Sequence, residues 1–316
     1  MIADSSADRP VHVVVTCANR KTQAVPAQLR LQNVPGKGAQ QRFAAWTRRL
    51  STPTVTPVPA VDLYAGEHWQ IARQLPGSVT APAALWVCSA GYGLIPAGTA
   101  IQPYAATFSV GEPDAVGATP AAARRWWHHL TRWPGPDTDQ PRSFAALARR
   151  DPGAVIIAVL SEAYLRPCAD DLRDAAGYLT DEEQLAVIAP PGRSPDIDDL
   201  IVPVTARLRP LVGGSLQALN VRAAAHLLRA AADGLSRTRL RKLARHATDT
   251  APVDPSRRPT GRKLTDDEVR DHVRRSLSAG PATATSLLRQ LRQTGQSCEQ
   301  SRFRRLFDQV AAEVTR

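Results

Sequence analysis

The chain has 316 residues, 43% of them hydrophobic and 22% charged, the balance of a folded globular protein large enough for one α/β domain and a small appendage. No apolar run approaches the roughly 20 residues needed to cross a bilayer, and "MIADSSADRP" (1–10) lacks the basic-then-apolar order of a secretory leader, so no membrane partner and a cytoplasmic location are expected. Formal net charge is +11, and residues 236–316 hold 18 Lys+Arg against 9 Asp+Glu, so most of the excess lies in the last quarter.

Residues 1–10 read as a disordered leader. "VHVVVTC" (11–17) is β-branched and apolar on both faces, as a central parallel strand is. "QRFAAWTRRL" (41–50) sets Phe43, Trp46 and Leu50 on one helical face, and "VTPVPAV" (55–61) is expected as a strand. A helix over 67–75 ("EHWQIARQL") and a strand over 84–88 ("ALWVC") follow. Helical patterns at 121–133 and 143–150 precede "AVIIAVL" (154–160) and "LAVIA" (185–189), while proline demotes "LIVPVT" (200–205) toward an edge strand. A long alanine- and leucine-rich helix covers 218–235. Strands alternating with helices over 11–247 predict an α/β fold, a three-layer arrangement of a mostly parallel sheet flanked by helices.

The basic helical stretch "SRTRLRKLARHA" (236–247) leads into a proline-rich linker over 248–263. At "TDDE" (265–268), Thr265 and Glu268 have the spacing of a capping box. Three short helices over 264–316, broken at Gly280-Pro281 and at Gly295, form a small basic all-helical module of helix-turn-helix type. A basic appendage on a near-neutral domain predicts a polyanionic partner, here double-stranded DNA, with Arg262, Lys263, Arg289, Arg292, Arg302, Arg304 and Arg305 on the phosphate backbone. Modules of this size also dock proteins.

Cys17, Cys88, Cys168 and Cys298 have no paired spacing, so reduced thiols and no metal site are expected. No G-x-G-x-x-G or Walker loop is present, and no cofactor is expected. Ligands of an open parallel sheet gather at the carboxyl ends of strands, and three segments fall there. In "TCANRKT" (16–22), Arg20 and Lys21 suit a phosphate and Asn19 a water or a base edge, unless this is an ordinary surface loop. In "SAGYGLI" (89–95), Gly91 and Gly93 suit a tight loop with Tyr92 stacked on a base, unless it is a plain turn. In "PAVDLYAGEHW" (59–69), Asp62 and Glu67 flank Tyr64 and suit catalysis, or else helix capping and arginine pairing. Trp126, Trp127, His128 and His129 read as structural. Ser215 and Asn220 in "LVGGSLQALN" suit a phosphate, or a plain N-cap.

"VVVTCANRKT", "DLYAGEHWQIAR" and "LWVCSAGYGLIPAGTAIQPYAATF" resemble, in this order, a bacterial family similar to the peroxide-stress protein YaaA and to the core of archaeosine synthase, a domain that looks like a uracil-DNA glycosylase fold. The likeness covers roughly residues 11–110. It implies that Cys17, Asn19, Lys21, Asp62, Tyr64, Ser89, Gly91, Tyr92, Gly93, Pro103, Tyr104 and Thr107 line a pocket. The chain departs from the pattern at Ala18 and Asn19, and it has no G-Q-D-P or H-P-S-P loop of the true uracil glycosylases; Asn19 or Asp62 is expected to activate the water in its place. The implied function is a DNA N-glycosylase that flips and excises a modified base, such as glucosylated hydroxymethylcytosine of phage DNA, leaving an abasic site in defence or repair. A non-catalytic DNA-binding stress protein and an RNA base-exchanging enzyme are the alternatives.

Overall fold

The computed structural model describes residues 9–36, 38–231, 234–252, 262–280 and 282–314, so most of the expected leader and the middle of the expected linker fall outside the described residues. The chain divides into two compact units, Met1–Pro252 and Val253–Arg316.

The first unit is mixed α/β. Its sheet holds β1 (Val11–Thr16), β2 (Ala83–Ser89), β3 (Gly93–Pro96), β4 (Val155–Val159), β5 (Leu185–Ala189) and β6 (Ile201–Pro203), in the spatial order β3-β2-β1-β4-β5-β6. All neighbours are parallel except β2 and β3. β1 is central: Val13 is level with Leu85 on one side and with Ile157 on the other, and all six of its residues are buried. Burial on both faces is why its sequence shows no polar alternation. The main helices of this unit are α1 (Ala39–Ser51), α2 (Pro120–Arg132), α3 (Glu162–Tyr178), α4 (Leu219–Ala230) and α5 (Arg237–Thr250). Among the described residues, no helix is long and apolar enough to cross a membrane.

Three expectations need correction. The segment 55–61 is not a strand of the main sheet; only Val58–Pro59 pairs, antiparallel, with Ala100–Ile101. Pro57 and Pro59 have no N–H for a central ladder. The cationic excess counted from residue 236 does not all belong to the appendage: the basic stretch 236–247 is helical, as expected, and lies in α5, which packs on β5 and β6 and runs on to Thr250. Arg237 is 5% exposed and donates to the carbonyls of Glu182 and Leu185, while Arg241 Nε donates to Ile201 O at 2.7 Å. Third, "SAGYGLI" is a hairpin into the antiparallel edge strand β3 rather than a ligand loop.

That hairpin is buried, so its backbone carbonyls need internal partners. Trp126 Nε1 donates to Ala90 O at 2.8 Å and Trp46 Nε1 to Gly91 O at 2.9 Å. Arg142 supplies the rest: its guanidinium donates to Tyr92 O, to Leu94 O at 2.9 Å and to Trp133 O at 3.2 Å, over the Trp133 ring. Burial lowers its pKa to about 10.

The second unit holds α6 (Asp266–Ala279), α7 (Ala284–Gln293) and α8 (Gln300–Val314), with Arg262–Lys263 paired in parallel with Gln296–Ser297. Thr265 and Glu268 cap α6 reciprocally. Val269, Val273, Leu291, Phe303, Leu306 and Val310 fill its own core.

Replacing Arg142 with Met keeps the stem but leaves two buried carbonyls, of Tyr92 and Leu94, without this donor, at about 1–3 kcal/mol each for an unsatisfied group, and frees the half-buried Trp133 carbonyl to water. We expect a total loss of at least about 2 kcal/mol, read as a lower urea midpoint at unchanged slope. A loss below about 1 kcal/mol would contradict the role given to Arg142.

Candidate active site

The strand order reverses at β1, because the chain builds outward to β2 on one side and to β4 on the other. In such sheets a crevice opens at the carboxyl ends of the strands. A cavity of about 510 Å³ lies there. Its wall begins with Thr16 at the end of β1 and continues through Cys17, Ala18, Asn19 and Arg20. Ala65, Gly66, Glu67 and His68 face it from the start of the short helix Glu67–Ala72. Thr107 and Ser109 come from the loop after β3, and Val159, Ser161 and Tyr164 from the β4–α3 junction. Ser215, Gln217, Ala218 and Asn220 complete it at the start of α4.

Glu67 and His68 carry its electrostatics. Glu67 Oε1 accepts from Arg222 Nε at 2.9 Å and from Ser215 N at 3.4 Å. Hydrogen bonding to Ser215 and then to Arg222 holds the Glu67 carboxyl below its ordinary pKa, so it is ionised at neutral pH. The pair also ties two walls of the cavity together. His68 Nε2 lies 3.1 Å from Thr16 O. A carbonyl only accepts, so Nε2 carries the hydrogen and Nδ1 is an unprotonated acceptor. Burial lowers the His68 pKa, which keeps the ring neutral. Cys17 Sγ lies 3.0 Å from the Tyr164 hydroxyl, whose pKa burial pushes well up, so that phenol stays protonated. Asn220 Nδ2 donates to Leu160 O, while the Asn19 side chain is exposed on the wall and makes no hydrogen bond within the described residues.

Four of the residues read from the sequence as catalytic or substrate-binding therefore reach the cavity: Cys17, Asn19, Arg20 and Glu67. So do Thr107, named through the resemblance, and Ser215 and Asn220, read as helix-start groups. The others do not line it. Asp62 is exposed and does not line the cavity, and among the described residues only its carbonyl is engaged, by Thr22 Oγ1 at 2.9 Å. Tyr92 is 1% exposed, with its hydroxyl accepting from Gln102 N and its ring against Trp133 and Tyr104. It faces core, so the expected stacking platform is withdrawn.

Tyr64, Ser89, Gly91, Gly93, Tyr104 and Lys21 belong to a layer behind the cavity wall. Ser89 Oγ accepts from the N–H groups of Gly91 and Tyr92, which fills both lone pairs and directs its own hydrogen to Tyr104 Oη at 2.6 Å. Tyr104 Oη in turn lies 2.9 Å from Tyr64 Oη. The Lys21 ammonium sits 4.7 Å and 5.1 Å from the Tyr104 and Tyr64 ring centres and donates to Ala18 O at 2.6 Å and Asn19 O at 3.2 Å. Burial lowers its pKa. This lysine thus fixes the loop that presents Asn19 rather than meeting a phosphate. Gly93 turns the chain with φ +77°, and a Cβ at Gly91 would lie 2.4 Å from Tyr104 Cε2.

His68, Tyr164, Ser161, Thr16, Ser109 and Gln217 were not singled out from the sequence. His68 adjoins Glu67 at a helix start, a signal that was available; Tyr164 stands on α3, whose Pro167 hid the helix. Among the described residues, no group of His, Cys, Asp and Glu is arranged to hold a metal ion. Comparisons with protein-family models, with curated proteins and with solved structures return no match.

The close approach at Gly91 predicts that Gly91→Ala displaces the Tyr104 ring, which its two hydroxyl partners hold in place. Overpacking of this kind costs about 1–3 kcal/mol. The expected readout is a lower urea midpoint together with an altered near-ultraviolet circular dichroism spectrum; a wild-type spectrum and midpoint would show the ring layer to be looser than described.

Proposed function

We propose that the first unit is a DNA N-glycosylase, with a fold of the uracil-DNA-glycosylase kind, that takes one flipped nucleotide into the cavity at the end of β1. The observation that carries this reading is that one cavity is lined by a carboxylate, Glu67, ionised and paired with Arg222, and by an amide, Asn19, that makes no hydrogen bond within the described residues, together with hydroxyl and amide groups, His68 and Arg20. Cleavage of the C1′–N bond leaves a cationic, oxocarbenium-like sugar. The Glu67 carboxylate stabilises that cation, and the Asn19 side-chain oxygen accepts a hydrogen bond from the attacking water. Water oxygen then bonds to C1′, its proton passes to the departing base, and an abasic site remains. Glu67 serves as an electrostatic stabiliser rather than a proton donor, since it is ionised.

Arg20, exposed at the rim, suits the phosphate flanking the nucleotide. Hydroxyl and amide groups such as Thr107, Ser109, Gln217 and Asn220 suit a base that itself bears hydroxyls, for which a glucosylated hydroxymethylcytosine of phage DNA is the leading candidate, in defence or in repair. Extruding a base costs a few kcal/mol of stacking and pairing. Leu216, 59% exposed between the cavity-lining Ser215 and Gln217, is the group suited to fill the vacated step.

Incubation with genomic DNAs of differing base modification, followed by mass spectrometry of released bases and alkaline strand cleavage, tests the reaction. Free modified base and alkali-labile sites are expected, with Glu67→Gln and Asn19→Ala each at least about 100-fold slower, as for loss of a preorganised electrostatic partner. DNA binding without base release from any substrate would reject catalysis and favour a binding protein. Leu216→Ala is expected to slow release from duplex by about tenfold or more, a few kcal/mol of lost extrusion energy at most, while sparing single-stranded substrate. An equal loss on both would remove Leu216 from the extrusion step.

A further inference from the structure

Residues 262–314 contain 10 Lys+Arg and 7 Asp+Glu, a modest excess whose distribution is the informative part. Four of the cations are neutralised locally: Arg262 by Glu268, Arg270 by Asp267, Arg274 by Asp271 and Glu313, and Arg302 by Asp266. The sequence-based assignment of Arg262 and Arg302 to phosphates is corrected accordingly. Arg289, Arg292 and Arg304 have no ion pair among the described residues, and all three line one groove of about 530 Å³ between α7 and α8.

We propose that α8 enters the major groove of duplex DNA and reads base edges, so that the second unit selects a sequence. The proposal shares with the preceding one only the premise that the partner is DNA. Gln300, Arg304 and Asp308 follow one another at i, i+4 and i+8 along α8, are exposed, and line the groove side of the helix. Their chemistry matches the three readable edges: Gln to adenine N6/N7, Arg to guanine O6/N7, and a carboxylate to the cytosine N4 amine. Arg289 on α7 flanks that stripe and serves as a phosphate contact that fixes register, while the Arg292 guanidinium donates to Cys298 O at 3.3 Å. The connection Thr294–Glu299, with Gly295 at φ +74° and Gln296–Ser297 paired with Arg262–Lys263, leads from α7 into α8, the helix order that a helix-turn-helix reader uses. An acidic amphipathic peptide is the competing occupant. Asp308 on the groove side opposes its carboxylates, and with Phe303 and Leu288 buried only Phe307, Ala282 and Ala284 offer it partly exposed apolar surface.

The test is selection by the full-length protein from a pool of random-sequence, unmodified duplexes. A shared motif of a few base pairs is expected among the retained molecules. Arg304→Ala is expected to relax preference at one motif position by about tenfold or more, and Gln300→Ala at another. Arg289→Ala is expected to weaken all sequences alike and to reduce the log–log salt slope by about 1. All three residues are exposed, and circular dichroism of each variant checks that the fold persists. No enriched motif, or a motif indifferent to Arg304→Ala and Gln300→Ala, overturns the proposal. So does saturable binding of a synthetic acidic amphipathic peptide that Arg304→Ala abolishes, in the absence of a DNA motif. Selection reads binding to unmodified DNA, whereas the glycosylase assay reads base release, so the two proposals fail separately.

Discussion

The loop after β1 carries much of the cavity's chemistry, and its course depends on where the Lys21 ammonium finds partners. A half-buried ammonium with no carboxylate in hydrogen-bond reach is held by dipoles and ring faces. Two tyrosine rings and the carbonyls of Ala18 and Asn19 provide that solvation. The rings are themselves held by the hydroxyl chain from Ser89 through Tyr104 to Tyr64, and Ser89 is held by the hairpin N–H groups of Gly91 and Tyr92. A continuous polar path therefore runs from an edge hairpin to the residue best suited to hold a water. Each member is satisfied, which is the condition under which a buried polar network orders a site instead of destabilising it.

Against this fixed loop stand groups whose charge states are set by their surroundings. Burial keeps His68 neutral and Tyr164 protonated, while Ser215 and Arg222 keep Glu67 ionised. The cavity thus offers one anion, held by Arg222, with neutral donors and acceptors around it and the cation Arg20 on its lining. Such a wall favours a ligand that gains positive charge as it reacts, because the anion is preorganised and need not be created. In the proposed reaction it disfavours general-acid help from Glu67, so the substrate expected there is one whose leaving group departs with little protonation.

The sequence made the central sheet legible where residues are β-branched and buried on both faces, as in β1 and β4. It misled where proline removes ladder donors, at 55–61, and where one proline, Pro167, interrupts an otherwise helical pattern. Residues directly after β1 and before α4 reached the cavity because strand ends and helix starts converge there. Tyr64, Ser89, Tyr92 and Tyr104 bear functional-looking hydroxyls, and their position turned on something a linear reading does not contain: those hydroxyls find one another. A tyrosine satisfied by the core packs into the core, whichever motif it stands in. The same holds for Lys21, whose charge suggested a phosphate until its ring partners were located.

Net charge was the least transferable of the sequence signals, for a related reason. Arginine has five donors and no acceptor, so it is suited to saturating backbone carbonyls that no strand or helix reaches. Arg142 does this for the hairpin, Arg42 for Leu31, Ala115 and Val116, Arg207 for Ala251 and Pro252, and Arg241 for Asp198 and Ile201. Cations spent in this way stand within the fold and offer few free donors to a polyanion. An excess of +11 is therefore compatible with a small basic surface, and the arginines that bear on recognition are those without a carboxylate or a carbonyl to hold them. By that criterion Arg20 at the cavity rim and Arg289, Arg304 and Arg305 in the second unit stand apart from the other arginines discussed above, although the first was conspicuous in sequence only as part of a loop and the others only as part of a basic tail.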